Sequence, residues 1–124
     1  MALVVHVESV VDRSNVTVTA APNPVYEQAP DASGLRFAFG LRVAESAGVA
    51  TRLVSMKING EDYTPQIERL FGATRVPANG ALQANIKANV PYAPSEQYIE
   101  LGGVDEGSGQ RWYRTVSVRF LPAQ

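Results

Sequence analysis

Asp105 and Glu106 stand side by side in the stretch Val104-Asp105-Glu106-Gly107-Ser108-Gly109-Gln110-Arg111-Trp112-Tyr113-Arg114, which also holds two glycines and the chain's only tryptophan. Paired carboxylates can divide general acid and base work, but only when they face each other across a substrate at a set separation. Neighbours at the tip of a loop do not. Gly107-Ser108-Gly109 lies between two strand-like runs and supplies the backbone freedom of a hairpin connection. The expectation is a turn, with Asp105 and Glu106 as solvated loop carboxylates. A calcium ion would need roughly 6 to 8 oxygen ligands, and no DxD or DxNDN run accompanies the pair.

The remaining reactive side chains are few. His6 is the sole histidine and there is no cysteine, so thiolate zinc sites, disulfides and cysteine nucleophiles are excluded, and a Ser-His-Asp triad would have to recruit His6. No Gly-x-Ser-x-Gly elbow is present to carry a serine nucleophile. Lys57 and Lys87, the only lysines, have the outward parity of their strands and read as solvated. No catalytic residue, metal ligand or cofactor is expected. What is left is aromatic. Trp112 shares the parity of Val116, Val118 and Phe120, which points to the core; Arg114 then also points inward, so either the alternation breaks at a bulge or Arg114 reaches the sheet rim. Exposed, Trp112 would instead stack a sugar or a partner surface together with Tyr92, Tyr98 and Tyr113, with Tyr63 a further candidate. Tyrosines of half-buried strands ordinarily pack the ring and leave the hydroxyl wet.

The elements that would hold these side chains are strands. Short runs of period-two alternation separated by Gly, Pro, Asn and Asp dominate the chain. Leu35 to Val43 alternates Leu35, Phe37, Phe39, Leu41 and Val43 against Arg36, Ala38, Gly40 and Arg42, a strand with one buried face. Residues 15–20 form a β-branched run that ends at Pro22-Asn23-Pro24, reading as an edge strand that breaks and switches partner before Val25-Tyr26. Residues 51–58 end at Asn59-Gly60, a type I′ hairpin signal, with Glu61 to Thr64 as the returning strand. Residues 65–72 are the one place for a helical turn, with Ile67, Leu70 and Phe71 inward. Strands follow over 81–88, 97–104 and 110–121.

About seven strands in about 100 residues is the pattern of an immunoglobulin-like sandwich. The expected fold is an all-β, Ig-like Greek-key β-sandwich over residues 15–124, preceded by a strand-like arm over residues 1–14. In the arm, Leu3, Val5 and Val7 alternate with Ala2, Val4 and His6, and such a run should be docked on a sheet edge of its own chain or of a neighbour.

Val16-Thr17-Val18-Thr19 followed by Pro22-Asn23-Pro24-Val25, the turn Asn59-Gly60, Val76-Pro77-Ala78-Asn79-Gly80, and the closing pattern Gly103-Val104-Asp105 with Gly107 and Trp112 resemble Ig-like or fibronectin-III-like modules of large bacterial secreted or surface proteins. The resemblance covers about residues 15–121. It implies spacing, adhesion or support of a neighbouring domain, and carries no catalytic residue. The paired cysteines of antibody domains are missing.

A formal charge of −1 over 124 residues lacks the basic footprint of a nucleic-acid binder. No run approaches the roughly 20 apolar residues of a membrane span, and MALVVHVESVV, which has no basic n-region, is not expected to act as a signal peptide. The function expected is that of a non-catalytic spacer, scaffold or adhesion module, extracellular or at a cell surface as part of a longer protein, whose partners are neighbouring domains or another protein. A carbohydrate-binding module that takes polysaccharide on its surface aromatics is one alternative. A filament or virion subunit that uses the arm for strand addition is the other.

Overall fold

A computed structural model describes residues 13–124. Among these residues nine strands run in the order β1 (Val16–Ala21), β2 (Val25–Tyr26), β3 (Phe37–Glu45), β4 (Thr51–Ile58), β5 (Glu61–Asp62), β6 (Arg75–Val76), β7 (Ala81–Ala88), β8 (Ser95–Asp105) and β9 (Arg111–Leu121), with a 3₁₀ turn (Thr64–Gln66) and one short helix, α1 (Ile67–Phe71), between β5 and β6. One sheet has three strands in the order β1-β3-β7; the other runs β2-β9-β8-β4-β5, with β6 also paired to β4. The alternation that defines each strand puts its apolar set on the face turned towards the other sheet. Phe37 and Phe39 of β3 meet the Phe120 ring of β9 edge-on, at centroid distances of 4.9 and 5.8 Å, and so join the two layers. Leu41, Val43, Met56, Leu101 and Val118 complete a core that is closed to solvent. The fold is an all-β sandwich.

Turn chemistry sets where the strands stop. Asn59 and Gly60 both take positive φ, 51° and 81°, as the two-residue turn between β4 and β5 requires. Gly72, at φ 78°, closes α1 by donating its N–H to the Glu68 carbonyl. Pro22 and Pro24 end β1, and the chain crosses from the smaller sheet to the larger one, where β2 runs parallel to the end of β9.

Two expected strands are displaced. Leu35 is not in β3: the Asp31 carboxylate accepts the Ser33 and Leu35 amides at 2.8 and 3.0 Å and holds residues 31–35 as a loop, so the strand begins at Phe37 and continues to Glu45. The strand after Asn59-Gly60 ends at Asp62, whose side chain accepts the Thr64 amide at 3.0 Å and starts the 3₁₀ turn. There is also no bulge near Arg114. The pairing of β8 with β9 runs without interruption from Ser95↔Phe120 to Val104↔Arg111, and the bulge lies instead in β4 between Leu53 and Ser55. The arm over residues 2–11 lies outside the described residues, apart from which the smaller sheet has β1 and β7 at its margins. No helix among the described residues is long and apolar enough to cross a membrane.

Candidate interaction surfaces at the two poles

The strands run between two poles. At the first lie the starts of β1, β4, β7 and β9 and the ends of β3 and β8; the second holds the opposite ends. Two acids sit at the first pole, each on the inward parity of the strand that it closes. Glu45 follows Leu41 and Val43 in β3, Asp105 follows Leu101 and Gly103 in β8, and both are 3% exposed. The expectation that Asp105 is a solvated loop carboxylate is therefore corrected. Its carboxylate accepts the Ser14 amide at 2.9 Å and the Ser14 hydroxyl, and its backbone amide donates to the Gln110 carbonyl, closing the hairpin.

Glu45 is the hub of the same pole. Its Oε1 accepts amides of Gly48, Val49 and Asn79, and its Oε2 those of Asn15 and Ala47, over 2.7–3.0 Å. Burial alone would push this carboxyl up, but the amides of Asn15, Asn79, Ala47 and Gly48 favour the charged form and hold it down to about 2. The adjacent amides of Ser14 and Asn15 thus go to different acids, one in each sheet. The chain is sutured to both layers at the point where it enters the sandwich.

Glu106, beside Asp105, does face solvent. Arg75 donates to it at 2.7 Å and Arg52 lies 3.5 Å away; the hydrogen bond from Arg75 lowers the Glu106 carboxyl below the ordinary carboxylate range and raises the Arg75 guanidinium in turn. The two neighbouring carboxylates therefore face different surroundings, one buried on Ser14 and the other on surface arginines.

Trp112 is a core residue at 8% exposure, and its indole N–H donates to the buried Thr51 hydroxyl at 2.7 Å. The face that a sugar would stack on is occupied, because the ring lies over Gly103, where a Cβ would overlap it. Arg114 keeps the inward parity by reaching the rim: its Nε donates to the Val16 carbonyl at 2.9 Å and its guanidinium lies 5.9 Å from the Trp112 ring centroid. Tyr113, on the other face, covers Gly102 beside Ser55 and is 66% exposed. Adjacent glycines in β8 thus receive adjacent aromatics of β9 on opposite faces, a pairing whose signal, Gly-Gly opposite Trp-Tyr, was present in the sequence. Tyr98 shares the outer face with Tyr113 and donates its hydroxyl to Glu96 at 2.9 Å, which raises the phenol. Tyr92 is exposed in the connection before β8, whereas Tyr63 packs against the core.

At the second pole the edge of β9 is held by a side chain. Asn23 donates its amide to the Ser117 carbonyl at 2.9 Å and accepts the Arg119 amide at 3.0 Å, so that it stands in for a missing strand residue. The β2 pairs Val25↔Phe120 and Tyr26↔Leu121 follow directly, and the Glu27 amide continues the ladder to the Leu121 carbonyl. On the opposite flank, between the end of β7 and α1, a cavity of about 370 Å³ opens among Phe39, Ile58, Leu70, Ile86, Val90 and Phe120. No protein-family model matches the chain, and no curated protein matches it either.

Proposed function

We propose that this chain is a non-catalytic interaction module, an Ig-like Greek-key sandwich that acts as an axial spacer or scaffold in a larger bacterial secreted or surface protein. The order β1-β3-β7 against β2-β9-β8-β4-β5 is what such a plan would give, with the first strand broken so that it contributes to both sheets. One observation carries the reading: the chain is fastened at both poles by contacts that oppose extension along the long axis. Ser14 and Asn15 are held by Asp105 and Glu45 where the chain enters. At the far pole β2 lies parallel to β9, so tension between the ends loads the bonds at Val25, Tyr26 and Glu27, together with the Asn23 clamp, in shear.

Pulling tandem copies through residues 13 and 121 with an atomic force microscope tests this. Forced unfolding is governed by the unfolding rate, so each module should rupture in one event and lengthen by about 35 nm, the extended length of the chain less its folded span. Asn23→Ala should lower the rupture force. Extension without a resolved rupture would sink the spacer reading.

A second reading, a carbohydrate-binding surface, draws support from Tyr98 and Tyr113, which are exposed on the same outer face of the larger sheet. A glycan array decides it: binding that Tyr113→Ala abolishes would move this reading ahead, and an array without signal would remove it.

A further inference from the structure

The two ends of β9 are covered unequally. β2 and the Asn23 side chain occupy its outer edge from Ser117 to Leu121, whereas among the described residues no strand pairs on that side with Arg111 to Thr115. Along this stretch, at the first pole, lies an open cavity of about 340 Å³ lined by Arg13, Arg111, Arg114, Gln110, Tyr113 and Asp105. Its chemistry is cationic. Three guanidiniums stand against one carboxylate, and that carboxylate is buried and already engaged by the Ser14 amide and hydroxyl. Among the described residues Arg13, Arg111 and Arg114 form no ion pair, although Arg36, Arg52, Arg75 and Lys87 each have one. In a chain whose formal charge is −1 this is a local excess of positive charge.

Arg114 is fixed before any ligand arrives. Its Nε donates to the Val16 carbonyl and its Nη1 to the Tyr113 carbonyl, each at 2.9 Å, and the guanidinium lies 5.9 Å from the Trp112 ring centroid. Both hydrogen bonds end on neutral carbonyls, so the charge of this half-buried side chain stays uncompensated. An anion in the cavity removes the mutual repulsion of the arginines, and a guanidinium already held in place loses little freedom in binding it. Tyr113 supplies a second kind of contact. Its ring covers Gly102 and is 66% exposed, which leaves an aromatic surface beside Arg111 and Arg114. A sugar ring stacks on such a surface while its acidic substituents reach the guanidiniums; acidic peptide side chains would use the arginines alone.

We propose that this cavity, with Tyr113 at its rim, binds an anionic polysaccharide, a glycan whose carboxylate or sulfate groups meet Arg13, Arg111 and Arg114 while one of its sugar rings stacks on Tyr113. This rests on the carbohydrate reading of the outer face and names the charge class of the glycan. The attraction is one of exposed charges, so added salt weakens it.

Calorimetric titration of the full chain with dextran sulfate, polygalacturonate and neutral dextran is the test, with inorganic sulfate and polyglutamate as rival sources of anion. At least one acidic polysaccharide should bind, neutral dextran should not, and inorganic sulfate and polyglutamate should bind about tenfold more weakly or not at all. Arg111→Ala and Tyr113→Ala should each weaken polysaccharide binding about tenfold, whereas Arg42→Ala, on the outer face of the smaller sheet, should leave it unchanged. All three side chains are exposed, so the melting curves should match that of the wild type. Inorganic sulfate or polyglutamate bound as tightly as the polysaccharides, or equal losses at Arg42 and Arg111, would overturn the proposal. So would binding that appears only after Glu8 and Asp12 are replaced by Gln and Asn, since the chain's own carboxylates would then fill the cavity. A neutral glycan bound through Tyr113 with no effect of Arg111→Ala would refute this proposal and keep the carbohydrate reading, whereas a chain that binds no glycan of either kind removes both.

Discussion

Glu45 is the side chain on which most of the first pole depends, because one carboxylate satisfies five backbone amides from three segments. Its pKa is about 2 in the fold against 4.5 for the free group. A depressed folded pKa contributes stability that is fully present above the unfolded value and is lost as pH falls through the folded one. Stability should therefore decline between about pH 5 and pH 2, by about 3 kcal/mol from this group. Glu45→Gln should lose a similar amount at pH 7 and flatten that decline, as urea titrations at a series of pH values would show. Asp105→Ala should cost about 1–3 kcal/mol, because it strands the Ser14 donors. Glu106→Gln should leave the urea midpoint almost unchanged, since its arginine partners lie in solvent. Equal effects at 105 and 106 would mean that the Ser14 contact carries no weight. The glycines of β8 divide in the same way. Gly103→Ala drives a methyl into the packed Trp112 ring and should cost about 1–3 kcal/mol, while Gly102→Ala meets only the movable Ser55 hydroxyl and the exposed Tyr113 ring and should cost less.

At the scale of elements, the strands were legible wherever alternation and turn chemistry are local. The limits of β4 and β7 follow from their own residues, as does the turn at Asn59-Gly60. Leu35 misled because its parity fits β3, whereas its amide is taken by a carboxylate four residues earlier. The two buried acids could have been suspected, since Glu45 continues the parity of Phe37 to Val43 and Asp105 that of Ile99 and Leu101. Their partners could not. Ser14 lies 91 residues from Asp105, and Asn79 lies 34 from Glu45, and no local pattern announces contacts at such separations. The aromatic set was legible only in part: parity placed Trp112 in the core, but nothing in the spacing placed Tyr98 and Tyr113 on one face. The joint between the layers gives this scale its own test. Phe39 is 6% exposed and packs on Phe120, so Phe39→Ala should cost about 3–5 kcal/mol in a urea titration. A loss below about 1 kcal/mol would mean that the sheets are held together elsewhere.

The molecule as a whole is an axial object with unlike ends, one closed by buried carboxylates and the other by a parallel strand pair, with a cavity of mixed lining on its opposite flank. The position of β9 in the larger sheet carries a further consequence, for the order in which the fold can be assembled. β9 lies between β2 and β8, and β2 has no other strand partner among the described residues. Val25 must therefore wait for Phe120, the far end of the chain, before its ladder can form. Pairings of such sequence separation are slow, because loop closure must precede any gain from contact. During vectorial synthesis a nascent chain that has reached only Gln110 can close the smaller sheet and the β4–β8 pair but leaves both β2 and the outer side of β8 without neighbours. Arrest at that length should yield a protease-sensitive intermediate, whereas release of β9 should confer resistance in a single late step.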